Sequence, residues 1–388
     1  MTTCPIHVAL LHAYSARNSG DGLLVELSIA LLRDAFGADT RVSVVAADPA
    51  SFPDHPDVLP APVLAAGAAG RLLGAAMASL PVRANPALAE LNELLRRADQ
   101  IVGVGGGYLR ARNAVEALKL EAGHLLQMRA ARAARKPVVY LPQSIGPAAG
   151  NAMLSRHLTS LLAGFETVFV RDDRSADLLS ANANTRRAPD LAVLEFGRRA
   201  TAVRGRARAT AAPPRHIALV LRRPPAWSDA QCARYRTQTD AMIGRLSALC
   251  RVTFAVQSTG RGNDDAAYYL ERGFDAARTL KDVLADDTPD AVVSVRLHGA
   301  LEAILHGVPA YHLSYERKGF GAYDDLGVSH WVANAADFDA NAVCDTLFAP
   351  DALRRFWMQA DAGTARLARE RDTIVAALRN ALGGGVAR

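Results

Sequence analysis

Short apolar runs alternate with helical stretches through most of the 388 residues, and the alternation restarts near residue 216. These two observations predict an α/β protein of two Rossmann-like, doubly wound domains facing a cleft. A third concerns the strand ends, most of which carry glycines or cations. Open α/β sheets bind ligands outside the carboxyl ends of their strands.

The elements follow in order. "IHVALLH" (6–12) is an apolar first strand. Leu23, Leu27, Leu31 and Ala35 recur at helical spacing after it, and Gly37 is a natural C-terminal stop. "RVSVVAA" and "QIVGVGGG" predict two more strands, and one helix is expected through "NAVEALKLEAGHLLQMRAARAARK". "PVVYLPQ" and "ETVFVRD" complete the first half. "FGRRATAVRGRARATAAPPR" (196–215) is rich in Arg and Ala and poor in large apolar side chains, which predicts an exposed linker with solvated arginines or arginines near lipid headgroups. "HIALVLR" opens the second half, followed by a helix through "TQTDAMIGRLSALC", the strand "VTFAVQ", a short helix near "LKDVLADD", and a stretch over 294–321 that reads as strand, turn, helix, strand and loop. The chain is expected to close on amphipathic helices. The predicted organisation is 1–195, linker 196–215, 216–350 and terminal helices 351–388.

Forty-five Lys and Arg against 39 Asp and Glu give a formal charge of +6. That mild excess suits a small anionic substrate or a membrane surface as well as nucleic acid. With no basic aromatic strand motif and no zinc-finger spacing, a nucleic-acid partner is not expected. Cys4, Cys232, Cys250 and Cys344 are scattered, so neither a zinc site nor a disulfide framework is suggested, and free thiols in a reducing compartment are expected. The N-terminus has no basic region before its apolar run and reads as a strand rather than a signal peptide. Residues 61–82 are long enough to cross a bilayer, but Arg71 at their centre favours a packed helix or one lying on a membrane surface.

The candidate site residues stand at strand ends. Gly105, Gly106 and Gly107, between a strand and an expected helix, allow a ligand close to backbone and to a helix N-terminus, or simply make a tight turn. Asn18, Gly20 and Asp21 follow the first strand, and Asp21 can face a substrate or cap the helix. Arg296 and His298 lie two apart just past "AVVSV" and can point into one cleft, where a histidine can donate a proton near neutral pH. His306 reads as structural. Arg171, Arg296 and Lys318 together suit a ligand carrying both carboxylate and phosphate. No His, Cys or Asp cluster has metal-ligand spacing, so no metal and no cofactor are expected.

"NSGDGLL", "VGVGGGYLR", "LPQSIGP", "VFVRDDRSADLL", "APDLAV", "SVRLHGALEAILHGVP" and "SYERKG" fall in the order that resembles the polysaccharide pyruvyl transferase family, from about residue 14 to about 327. Residues 40–100 and 196–280 match little. The resemblance implies a fold like the two-domain GT-B glycosyltransferases, with the acceptor side and part of the donor site in the first domain. It implies transfer of pyruvate from phosphoenolpyruvate, a co-substrate, to a saccharide as a cyclic ketal. By it, His298 is the acid, Arg171 and Arg296 hold the donor, and Lys318 contacts phosphate. Asp21 and Asn18 would face the acceptor, with Asp21 accepting a hydroxyl proton. A cytoplasmic enzyme is expected, peripheral at the inner membrane face if its acceptor is lipid-linked. Two rivals stay open: a GT-B nucleotide-sugar glycosyltransferase with Glu302 on the ribose, and a non-catalytic protein that binds anionic glycans.

Overall fold

The structure, a computed structural model, describes residues 5–62, 82, 85–148, 151–207, 212–260, 263–274 and 278–385. It comprises two compact units. The first takes Met1–Ala16, Leu24–Leu191 and Glu370–Arg388, and the second Arg17–Leu23 and Ala192–Arg369.

The first unit is built on strands β1 (His7–Ala13), β2 (Arg41–Ala46), β3 (Val58–Pro60), β4 (Gln100–Gly103), β5 (Gly106–Ala111), β6 (Val138–Ala148), β7 (Thr167–Val170) and β8 (Thr185–Arg187). Their order is β3-β2-β1-β4-β6-β7-β8, with β5 also on β6. Every pairing is parallel. The order reverses between β1 and β4, the switch point at which doubly wound sheets open a crevice. Six of the seven β1 residues are buried, as expected of an apolar run covered by helices on both faces. The helices are α1 (Ser19–Phe36, whose first turn belongs to the second unit), α2 (Ala89–Arg97), α3 (Ala114–Lys119), α4 (Leu125–Ala134), α5 (Ala152–Ala163) and α6 (Asp173–Leu178). The single helix expected after the glycines is divided. Leu120–His124 form a π-helical turn between α3 and α4.

The second unit carries β9 (His216–Val220), β10 (Arg251–Phe254), β13 (Ala291–Ser294), β14 (Ala310–Ser314) and β15 (Val332–Asn334) in the order β10-β9-β13-β14-β15, again parallel throughout. A two-stranded ribbon, β11 (Thr259–Gly260) and β12 (Asn263–Asp264), follows β10. The order reverses between β9 and β13, directly below Arg296. Around this sheet lie α7 (Leu191–Arg206), α8 (Asp229–Leu249), α9 (Asp265–Glu271), α10 (Leu280–Asp286), α11 (Leu297–Leu305), α12 (Arg317–Asp325), α13 (Ala340–Phe348), α14 (Ala352–Ala362) and the start of α15 (Thr364–Gly385). Helix α8 starts in a capping box between Ser228 and Gln231.

Two expectations change. Residues 196–215 are not a linker for most of their length, because α7 runs through to Arg206. Arg and Ala are good helix formers, and Phe196 and Val203 are buried. Its arginines are engaged: Arg204 pairs with Asp361 at 2.8 Å and lies 5.2 Å over the Trp357 ring, and Arg206 donates to the Leu305 carbonyl at 2.6 Å. The terminal helices also divide, with residues from Glu370 onward belonging to the first unit. There Arg379 donates to the Ala35 carbonyl at 2.7 Å. Of the apolar segment 61–82, residues 63–81 lie outside the described residues. No described helix is long and apolar enough to cross a membrane.

Candidate active site

Strand β13 is an unbroken buried run, and the chain leaves it through one turn into α11. Ser294 makes that turn: its hydroxyl donates to the Arg296 carbonyl at 2.7 Å and accepts from the Arg296 N–H at 3.0 Å. The neighbouring strand repeats the device. Ser314 donates to the Glu316 carbonyl at 2.5 Å and accepts from the Glu316 N–H at 3.4 Å. Each helix then has glycine at its third residue, pressed on that serine. A Cβ on Gly299 would lie 3.0 Å from Ser294 Oγ, and one on Gly319 would overlap Ser314 Oγ and His312 Nε2. His298 and Lys318 therefore hold the same place, second in the helix, on consecutive βα units. Both stand in a first turn, where free N–H groups favour anions.

Arg296 is 6 % exposed. Its Nη2 is tied to the Asp265 carboxylate, a partner wholly buried at the start of α9, and donates to the Asn263 carbonyl at 3.1 Å. The other Asp265 oxygen accepts from the N–H groups of Gln257 and Ser258 at 3.1 and 2.9 Å. Burial pushes the Asp265 carboxyl up, while Arg296 and these backbone donors pull it down. The guanidinium is fixed along one edge and keeps donors in reserve; Nε is buried with no partner among the described residues. Lys318 lies 3.0 Å from the Glu316 carboxylate.

The segment Arg17–Ser19 joins this unit as an edge piece. Ser19 N–H donates to the Gln257 carbonyl at 3.0 Å and Thr259 N–H to the Arg17 carbonyl at 3.1 Å. Asn18 then caps α1, its carbonyl accepting from Asp21 and Gly22 and its side-chain amide donating to the Asp21 carboxylate at 2.9 Å. Gly20 is required by close approach, since a Cβ there would lie 2.8 Å from His298 Cβ. The first turn of α1 thus packs directly on His298. Burial pushes the Asp21 carboxyl up, against the opposing pull of His298, the Asn18 N–H, Lys318 and Arg296. Glu302 accepts from Ser19 Oγ at 3.4 Å, which ties α11 to the start of α1. His306 bonds the Glu302 carbonyl within its own helix.

Sequence reasoning therefore placed six residues that the second unit gathers: Asn18, Gly20, Asp21, Arg296, His298 and Lys318. It missed Asp265 and His312. His312 is buried, donates from Nδ1 to the Ser294 carbonyl at 2.8 Å, and is pushed down to about 4 by that burial. No local pattern marks either residue; the paired Ser-x-x-x-x-Gly spacing of "SVRLHG" and "SYERKG" marks only the two turns.

Arg171 and the glycines belong to the first unit. Arg171 follows β7, is 3 % exposed, donates from Nε to Ser144 Oγ at 2.9 Å, and is ion-paired with the buried Asp190 carboxylate. Gly105–Gly107 do not lead into a helix; Gly106 opens strand β5. Gly105 allows close packing instead, because a Cβ would lie 2.9 Å from Leu191 and 3.1 Å from the Pro142 carbonyl. Among the described residues no group of three metal-ligating side chains gathers.

The sequence model of the polysaccharide pyruvyl transferase family matches residues 18–317. The chain belongs to that family. The match spans the strand ends that hold every candidate residue from Asn18 to His298 and stops one residue short of Lys318. Among solved structures, this pyruvyl transferase family member is similar to HepE of Anabaena in complex with UDP and glucose, at 15 % identity and TM-score 0.52 over 96 % of this chain and 98 % of that one. It is similar to UDP-GlcNAc 2-epimerase of Methanocaldococcus jannaschii, at 10 %, 0.54, 94 % and 99 %. A third is the UDP-forming α,α-trehalose-phosphate synthase of Burkholderia vietnamiensis, at 14 %, 0.51, 98 % and 98 %. These likenesses show the GT-B-like fold alone. No curated protein matches significantly.

Proposed function

We propose that the chain moves pyruvate from phosphoenolpyruvate onto two hydroxyls of a saccharide, releasing phosphate and leaving a cyclic ketal. One observation carries this reading. The Gly20 contact sets a carboxylate-bearing turn against His298 in the unit that also presents Arg296 and Lys318. The donor is a dianionic to trianionic three-carbon acid that must gain a proton on carbon, so it needs cations and one acid together.

Arg296, steadied by Asp265, holds the donor with its remaining N–H groups, and Lys318 meets phosphate as a point charge. A sugar hydroxyl attacks the central carbon and gives its proton to the Asp21 carboxylate, whose burial makes it a better acceptor. The electrons of the carbon–carbon double bond take a proton from the His298 imidazolium, and the methylene becomes methyl. Phosphate departs with the electrons of its bond to carbon. The second hydroxyl closes the ring on the resulting oxocarbenium ion, and its proton restores His298. Asp21 passes the first hydroxyl's proton to the departing phosphate, so over a full cycle one hydroxyl proton's equivalent ends on the methyl carbon and the other on phosphate. Arg171, tied to Asp190 and Ser144, enters as a positioning residue in the first unit.

The test is phosphate release from phosphoenolpyruvate across a panel of free and lipid-linked saccharides, run beside UDP-sugars. Phosphate release that requires a saccharide supports the reading. Turnover of UDP-sugars alone supports a glycosyltransferase, and glycan affinity without any turnover supports a binding protein.

A further inference from the structure

The first unit holds a cluster that the pyruvyl-transfer steps do not use. His12 stands at the carboxyl end of β1, is 1 % exposed, and has φ of 68°, one of three non-glycine residues in the left-handed region among those described. The β1–β2 register slips between Leu10 and Ala13, around it. His124 ends the π-helical turn. Two departures from regular backbone converge on one contact, because His12 Nδ1 and His124 Nδ1 lie 3.2 Å apart. Such departures concentrate where a side chain must be aimed for function. Tyr108 packs on both rings, 4.9 Å from His12 and 4.8 Å from His124. His12 is the residue after Leu11, which pairs with Gly103 at the carboxyl end of β4, so the cluster lies along the β1–β4 switch point of the sheet, where a ligand of this unit belongs.

The hydrogen bonds fix which nitrogens carry protons. Tyr140 is wholly buried and its hydroxyl has a single partner among the described residues, His12 Nε2, at 2.7 Å. A buried hydroxyl proton has to be donated, so Tyr140 donates and His12 Nε2 accepts. His12 then carries its proton on Nδ1 and donates it to His124 Nδ1. His124 is left with its proton on Nε2, and that nitrogen has no partner among the described residues. A second proton would set two N–H groups face to face at Nδ1, so the pair stays neutral. Burial presses the same way, lowering both rings and His124 to about 4.

We propose that His124 Nε2 is the fixed neutral donor of a saccharide-binding subsite on the first unit, aimed at a hydroxyl or ring oxygen. A neutral N–H beside the Tyr108 ring matches an uncharged sugar rather than a phosphate or carboxylate. Naming that sugar as the acceptor rests on the pyruvyl-transfer reading; the subsite itself does not.

The test uses the full chain with methyl glycosides of glucose, galactose and mannose, without phosphoenolpyruvate. Saturation-transfer NMR from protein to glycoside, together with a ¹⁵N spectrum placing the His124 proton on Nε2, is the expected result. His124→Leu should weaken glycoside binding at least tenfold, and His124→Gln, which keeps an N–H donor, should retain most of it. Phosphoenolpyruvate affinity should stay unchanged in both. No transfer to any glycoside, equal binding by His124→Leu, or a proton on Nδ1 would each overturn the subsite. Turnover with an unaltered acceptor KM in His124→Leu would remove the subsite and leave the pyruvyl-transfer reading standing. Glycoside binding lost in His124→Leu, in a protein that never consumes phosphoenolpyruvate, would do the reverse.

Discussion

Replacing Gly20 with alanine probes the packing of α1 on His298 without adding or removing a polar atom. The new Cβ would fall 2.8 Å from His298 Cβ and 3.1 Å from its Nδ1. Carbon atoms rest at about 3.5 Å or more, so the two helix starts must part by about 0.7 Å. His298 Cβ is fixed by its backbone and cannot swing aside as a side-chain tip would. Overpacking of this kind costs about 1–3 kcal/mol, and the helical gain of alanine over glycine returns about 0.5–1. The net loss is about 1 kcal/mol, which moves Tm by about 2–4 °C in a unit of this size. Catalysis should suffer far more, since a displacement near 1 Å at a reacting group can cost about a hundredfold. The assay is phosphate release under saturating phosphoenolpyruvate, beside thermal unfolding. A fall in kcat of about ten- to a hundredfold with Tm lowered by only about 2–4 °C is expected. Wild-type kcat in a folded Gly20→Ala protein would refute the contact between α1 and His298 as a determinant of rate.

His298→Ala should lose about a hundred- to ten-thousandfold in turnover while phosphoenolpyruvate still binds by calorimetry. Asp190→Ala should destabilise the first unit by about 3–5 kcal/mol in urea, because it strands the buried Arg171, and the double variant Arg171→Met with Asp190→Leu should recover much of that loss. His312 is held near 4 against an ordinary 6.5, so the unfolded chain binds the extra proton between those values. Its contribution is therefore full above pH 6.5 and lost as pH falls toward 4, by up to about 3 kcal/mol, and His312→Asn should flatten the urea midpoint across that window. Membrane contact predicts cosedimentation with anionic vesicles that weakens as salt rises, and protein left in the supernatant at low salt would end that idea.

Strands β1, β9 and β13 were legible because parallel strands covered on both faces are plain apolar runs. Strands β3, β8 and β15 were not; three residues leave no periodicity to read. The π-helical turn escaped for the opposite reason, since "KLEAGHLLQ" keeps helical spacing while its backbone does not. At the site, Arg296, His298 and Lys318 stood out as charges beside apolar strands. Asp265 did not, because its partnership with Arg296 links positions remote in sequence. His312 was hidden inside an apolar strand, and only burial makes it matter. The arginines of 196–206 misled through composition: they read as solvated, whereas Arg204 and Arg206 are held by Asp361, Trp357 and the Leu305 carbonyl.

The central claim is that a sugar hydroxyl adds to phosphoenolpyruvate while His298 protonates its methylene carbon. Running the reaction in D2O with a saccharide that supports phosphate release tests this most directly. Mass spectrometry and NMR of the product should show a pyruvate ketal whose methyl group carries a single solvent deuterium, with one phosphate released per ketal. A product without deuterium at that carbon, or a saccharide extended by a sugar instead of a ketal, would contradict the account.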